Sequence, residues 1–176
     1  MRSTLKPITP SAARAISRWR YEEPYSIYEG DPTSVDALLQ PHFFYHSVYD
    51  ERGGLTGYFC FGEGAQVAAG KRLGVYEVEP ALDVGLGMRP DLTGMGLGAE
   101  FLRAGLRFAR EVYSPPAFRL TVAAFNHRAI RVYERAGFET VETFGAATRG
   151  ADREWLLMRC KAQGRPPAAV LYSPKK

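Results

Sequence analysis

The stretch Gly94-Met95-Gly96-Leu97-Gly98 constrains this chain more than any other feature. An alternating apolar run, Leu82 to Met88, precedes it, and Leu97, Phe101, Ala104, Phe108 and Val112 follow at three- and four-residue steps. A strand, a glycine turn and an amphipathic helix are thereby predicted in succession. Glycine lets the main chain turn tightly and approach an anion with no Cβ in the way, and the first amides of a helix point outward without partners. Glycines at alternate positions make those amides the recognition surface, so the loop reads as a phosphate cradle. The same turn also serves plain strand-to-helix packing, and by itself it does not separate the two uses.

A chain of 176 residues fits one domain that buries roughly 70% of its unfolded surface, so no disulfide or metal is needed to complete a core. We expect that domain to occupy residues 1–163, with 164–176 a basic, proline-rich tail. Cys60 and Cys160 lie in strand-like apolar runs with no histidine or second cysteine at metal spacing, so both read as reduced core thiols and no metal is expected. No apolar stretch approaches the roughly 18 residues of a membrane span, and the N-terminus lacks a signal-type apolar segment. A cytoplasmic protein without a membrane partner is the expectation. The formal net charge of +4 suits a polyanionic small ligand, but the arginines are spread along the chain and form no stripe for nucleic acid.

Thr9-Pro10 predicts a capped helix start, with Ala12, Ala13, Ile16 and Trp19 on its apolar face and a short strand, Leu5 to Ile8, before it. The aromatic and acidic run Tyr21 to Tyr28 reads as a loop or broken helix, and Val35 to Leu39 as a short helix. Phe43 to Tyr49 and Leu55 to Phe61, separated by Glu51-Arg52-Gly53-Gly54, predict an antiparallel hairpin. In the run Leu82 to Met88, period two places Leu82, Val84, Leu86 and Met88 on one face and leaves Gly85 and Gly87 on a nearly bare one, against which a ligand could lie. A strand over Phe118 to Val122, a helix over Asn126 to Ala136 ended by Gly137, and strands Phe138 to Phe144 and Glu154 to Cys160 complete a mixed α/β domain with a βαβ unit in its middle.

Two segments carry a family resemblance. Thr93-Gly94-Met95-Gly96-Leu97-Gly98 resembles the acyl-CoA signature of the GNAT family of N-acetyltransferases, Arg or Gln, two residues, then Gly-x-Gly, except that Thr93 stands where the Arg or Gln is usual. Asn126-His127-Arg128-Ala129-Ile130-Arg131-Val132-Tyr133-Glu134-Arg135-Ala136-Gly137-Phe138 resembles the family's Asn-x-x-Ala-x-x-x-Tyr-x-x-x-Gly-Phe segment. The resemblance implies a mostly antiparallel central sheet flanked by helices, with a βαβ acyl-CoA-binding core. It implies an N-acetyltransferase that moves an acetyl group from acetyl-CoA to a primary amine, either a protein N-terminus or a small molecule, and it leaves a homodimer open. By matching position, the amides of Gly94, Met95, Gly96, Gly98 and Ala99 would take the pyrophosphate, and main-chain groups of Leu86 and Met88 the pantetheine arm and acetyl oxygen. Asn126 would bond the pantetheine region, and Tyr133, seven residues along the same helix, would offer its hydroxyl to the sulfur.

Simpler roles compete with each of these. Asn126 also suits the N-cap of its own helix, Tyr133 a packing aromatic, and Asp83 a surface strand aspartate. A lysine amine is neutral only about once in a few thousand at pH 7 and an α-amine about once in ten, so a carboxylate or water relay is wanted as general base. Asp83, on the strand that leads to the loop with its side chain opposite Leu82 and Val84, is the first choice, with Glu77, Glu79, Glu22 and Glu23 open beside it. Arg103, Arg107 and Arg110 read as a solvated helix face, with one basic side chain near the loop left for the cofactor's outer phosphate. A dinucleotide-binding reading of Gly94-x-Gly96-x-x-Ala99 fails, because the next strand ends without the acidic residue that fold requires. A non-catalytic acyl-CoA-binding module is the alternative that stays open.

Overall fold

The computed structural model describes residues 3–30, 35–77, 79–148 and 151–162; the expected tail, residues 164–176, lies outside them. Strands β1 (Thr4–Pro7), β2 (His46–Tyr49), β3 (Leu55–Phe61), β4 (Leu82–Met88), β5 (Ala117–Ala123), β6 (Glu139–Thr148) and β7 (Ala151–Lys161) form one sheet in the order β1-β2-β3-β4-β5-β7-β6. All neighbours are antiparallel except β4 and β5. The helices are α1 (Pro10–Ile16), α2 (Val35–Leu38), α3 (Ala68–Leu73), α4 (Gly98–Tyr113) and α5 (His127–Arg135). Strand β4, helix α4 and strand β5 make the expected βαβ unit.

Local chemistry explains most boundaries. Thr9 Oγ1 accepts from the Ala12 amide at 3.2 Å and Pro10 opens α1. Helix α5 is ended by Gly137, whose φ of +88° is open to glycine at little cost. The first hairpin strand is shorter than expected, because Pro41–Phe43 forms a 3-10 turn and Phe44 is left-handed, so pairing starts only at His46. Strands β6 and β7 are longer than expected; each pairs with the other along nearly its whole length. Helix α3, which no strong cap announces, was not expected from the sequence.

Both sheet faces are covered. On one, Phe59 and Phe61 of β3, Val84 of β4, and Phe118, Leu120 and Val122 of β5 pack on Phe101, Leu102, Leu106 and Ala109 of α4 and Tyr133 of α5. This contact is close because Gly105 admits the Phe59 ring and Gly57 admits that of Phe101. On the other, Ala69, Val75, Tyr76, Ala123, Phe144, Trp155 and Leu157 form a second cluster, which Tyr28 and Phe125 join.

Strands β4 and β5 share only the rungs Leu82↔Phe118 and Asp83↔Arg119. Beyond Asp83 each keeps its other neighbour: β4 pairs with β3 from Val84 to Met88, and β5 pairs with β7 throughout. The sheet therefore opens into a wedge between the C-terminal halves of β4 and β5.

Candidate active site

The wedge is lined on the β4 side by main-chain groups. The Arg89 amide donates to Thr56 O on β3 at 2.9 Å. Alternation in an antiparallel ladder then turns the main-chain groups of Leu86 and Met88 the opposite way, into the wedge. There Met88 O accepts a hydrogen bond from the Tyr21 hydroxyl at 2.8 Å.

At the end of β4 the chain passes through a 3-10 turn, Pro90–Leu92, into the glycine loop. Gly94 and Gly96 both have φ of +78°, a conformation that a Cβ would strain. Gly98 serves a different purpose: a Cβ there would meet Val132 of α5 at 3.2 Å, so this glycine lets α5 lie against the start of α4. Leu97 provides no side-chain cap. Among the described residues, the first amide after Thr93 with a main-chain acceptor is that of Phe101, which donates to Leu97 O at 3.0 Å. Gly98 and Ala99 thus open a 16-residue helix, and Gly94, Met95 and Gly96 lie in the loop just ahead of it, the geometry in which helix dipole and free amides both favour an anion. Thr93 Oγ1 is turned inward and donates to Pro90 O at 2.8 Å.

Arg128 is a basic residue that the spacing rules did not single out. Its Nη1 lies 3.5 Å from the position a Gly94 Cβ would take, and its guanidinium sits 4.0 Å from the centre of the Tyr25 ring. The aromatic contact holds the charge over the loop. Arg103 and Arg107 are exposed on α4, and His127 is exposed at the start of α5.

The α5 side of the wedge joins both readings of Asn126. Its Oδ1 accepts from the Ala129 amide at 3.2 Å, the capping bond, while Nδ2 donates to the Tyr28 hydroxyl at 3.2 Å. Tyr28 also accepts from the Ala123 amide of β5 at 3.3 Å. Tyr133 is buried beside Phe138, their ring centres 6.1 Å apart. Burial first, and then the neighbouring Tyr28, raise its hydroxyl pKa above the ordinary value of 10, so the hydroxyl keeps its proton across physiological pH. Among the described residues it has no hydrogen-bond partner.

Asp83 is not brought together with Tyr133. Asp83 is 3% exposed, and since Val84, Leu86 and Met88 face α4, strand alternation turns its side chain away from α4 and α5. Oδ1 accepts from Arg119 Nε at 2.6 Å, and Oδ2 from Arg119 Nη2 at 3.0 Å and Gln66 Nε2 at 2.6 Å. The bare face expected at Gly85 and Gly87 is also filled, since a Cβ at Gly85 would meet Cys60 Sγ and one at Gly87 the Tyr58 ring. These glycines admit protein side chains, and the opening lies in the plane of the sheet instead. Among the described residues no group of three His, Cys, Asp or Glu side chains is placed to hold a metal ion, and no helix is long and apolar enough to cross a membrane.

Comparison with known proteins gives the class to which this fold and loop belong. The acetyltransferase (GNAT) family pattern matches residues 11–138, and the chain belongs to that family. It is 44% identical over 113 residues to a mycothiol acetyltransferase of Streptomyces coelicolor, covering 64% of this chain and 32% of the relative. A mycothiol acetyltransferase of Propionibacterium freudenreichii is 43% identical over 58 residues, 33% of this chain and 18% of the relative. The chain thus spans about a third or less of the curated relatives it matches. Among solved structures, a spermidine N-acetyltransferase SpeG chimera from Vibrio cholerae and hSSAT superposes with a TM-score of 0.70 at 18% identity, covering 92% of this chain and 96% of that one. YncA of Salmonella typhimurium, a putative acetyltransferase with its cofactor acetyl-CoA, superposes with a TM-score of 0.65 at 16% identity, covering 95% and 99%.

Proposed function

We propose that this chain transfers an acetyl group from acetyl-CoA to a primary amine. The observation that carries the reading is the parting of β4 and β5 after Asp83 and Arg119, with Leu86 and Met88 directing main-chain groups into the gap. A linear arm with its own amides fits such an edge as an added strand would. The amides of Gly94, Met95, Gly96, Gly98 and Ala99 receive the pyrophosphate at one end, and Arg128 supplies positive charge beside them. Asn126 retains a second Nδ2 hydrogen for the arm.

Acetyl-CoA supplies an acyl group on a good leaving sulfur. In the transfer a bond forms between amine nitrogen and acetyl carbon while the carbon–sulfur bond breaks. Tyr133, kept protonated by burial, gives its proton to the departing sulfur and regains one from the medium. The surplus proton of the amine leaves to water. Asp83 takes no part in proton transfer in this scheme, because Arg119 and Gln66 occupy both of its oxygens; it holds the root of the wedge.

The test combines calorimetry with acetyl-CoA and thiol release with a panel of amines. Binding and steady turnover with at least one amine support the reading, and Tyr133→Phe should lower turnover at least tenfold with little change in acetyl-CoA affinity. Binding without turnover for any amine would point to a sensing module. Failure of the folded protein to bind acetyl-CoA would end both readings.

A further inference from the structure

On the sheet face opposite α4 lies a cavity of about 200 Å³, lined mainly by Trp19, Tyr21, Tyr28, Tyr45, Tyr58 and Glu29. Two of its residues reach opposite lips of the wedge. The Tyr21 hydroxyl bonds Met88 O on β4, while the Tyr28 hydroxyl bonds the Ala123 amide of β5 and Asn126 ahead of α5. The cavity therefore opens where β4 and β5 part, and a molecule inside it approaches the gap from the side opposite Tyr133.

The wall is a cage of rings. Trp19 stacks on Tyr58 with centres 6.2 Å apart, and Tyr45 lies 5.8 Å from the same ring. The pKa values of Tyr21, Tyr45 and Tyr58 are raised, chiefly by burial, so the rings stay neutral. Among the described residues Glu29 is the carboxylate of the lining, 18% exposed, with Oε1 accepting from the Tyr21 amide at 2.8 Å and Oε2 3.7 Å from Arg20 Nε. Arg20, one of its partners, is itself exposed to water, which screens that pairing. The negative faces of aromatic rings and a carboxylate attract a cation and repel an anion. At about 200 Å³ the space lies below the ~300–1,000 Å³ of drug-sized pockets, and its occupant is small.

We infer that this cavity is the acceptor site and that it selects a small organic cation: a primary amine on an apolar body that bears no acidic group. The inference rests on the acetyltransferase reading and narrows its substrate. Tyr21 couples the site to the transfer, since the residue that holds Glu29 through its amide also bonds the Met88 carbonyl through its hydroxyl.

A matched pair tests it. Phenethylamine and free phenylalanine share an aromatic body and an amine and differ by one carboxylate. With the intact chain and saturating acetyl-CoA, phenethylamine should be acetylated with a kcat/KM at least tenfold above that of phenylalanine. Glu29→Gln, which keeps the acceptor for the Tyr21 amide, should raise KM for phenethylamine about tenfold, with kcat within threefold and acetyl-CoA affinity by calorimetry unchanged. Trp19→Leu, which removes a ring without touching the carboxylate, should raise the same KM. Equal or better use of phenylalanine, or an unchanged KM in a folded Glu29→Gln protein, overturns the assignment and leaves the acetyltransferase reading standing. A wild-type protein that does not bind acetyl-CoA overturns both.

Discussion

Asp83 and Arg119 face each other as the last rung of the parallel ladder, and their side chains repeat the pairing with hydrogen bonds of 2.6 and 3.0 Å. Strands β4 and β5 separate immediately beyond them. The pair is anchored on every side: Gln66 bonds Asp83, Arg119 Nη1 reaches Glu79 O at 3.4 Å, and the guanidinium lies 5.2 Å from the Tyr76 ring centre. Both side chains are almost fully buried, at 4% and 5% exposure, so removing one charge leaves the other stranded. Asp83→Asn should lower unfolding free energy by about 3–5 kcal/mol in urea titrations. Replacing both partners by apolar residues, Asp83→Leu with Arg119→Met, should recover most of that loss. A loss below about 1 kcal/mol for Asp83→Asn would show that the pair does not hold this junction.

Helix α4 lies close against β3 at Gly105. A Cβ on Gly105 would stand 2.2 Å from Phe59, whose ring is fully buried and stacked 4.8 Å from Phe101. Gly105→Ala gains helix propensity, but the overpacking dominates, and a net loss of about 1–3 kcal/mol is expected. Thermal melts check this, and Phe59→Leu in the same chain should return part of the loss by vacating the space.

Arg128 makes its contacts with the Tyr25 ring and the edge of the glycine loop, and is otherwise exposed. Arg128→Ala should leave the melting temperature nearly unchanged. If the loop holds a pyrophosphate, acetyl-CoA affinity should fall about tenfold or more, the scale of a ~1.5–3 kcal/mol charge-assisted contact, and the difference should shrink in high salt. Calorimetry at two salt concentrations measures both effects.

Legibility in the sequence followed the range of the interactions involved. Period-two alternation bounds β4 at Leu82 and Met88, and the three- and four-residue steps find α4, because both patterns record burial of adjacent residues on one face. Helix α3 escapes because six residues are too few for a period and its N-cap, Val67, makes no side-chain bond. The partners of Tyr21 and Tyr28 escape for another reason. They lie 67 residues away at Met88 and 98 residues away at Asn126, and no local pattern encodes such a pairing. Asp83 shows the limit most clearly. Alternation alone puts its side chain opposite Val84, but only the register of β4 against β5 reveals that Arg119 meets it there.

Neither cysteine should react in the folded protein. Burial pushes the Cys60 thiol up to about 12 and the Cys160 thiol up to about 11, and the thiolate is the reactive form. Iodoacetamide at mildly alkaline pH should leave both unmodified by mass spectrometry and label both once urea unfolds the chain. Rapid labelling of either residue in the native protein would contradict the packing around it.

His46, half-buried at the edge of the core, offers a pH-dependent element. Nδ1 donates to Phe44 O at 2.8 Å, and the ring lies between Phe108 and Phe61, with centres 4.8 and 5.8 Å away. Burial lowers its pKa from 6.5, and the bond to Phe44 O opposes that shift only in part. As pH falls through about 6.5 the unfolded chain therefore takes up a proton that the folded chain still refuses, and stability falls until the folded ring is protonated as well. Above that window the residue adds no pH dependence. His46→Gln removes the titration and leaves the carboxylates as they were. The stability of the wild type relative to this variant, from urea titrations, should thus be greater at about pH 7.5 than at about pH 5.5. A difference that does not change with pH would mean that the ring takes up its proton as readily inside the fold as in water.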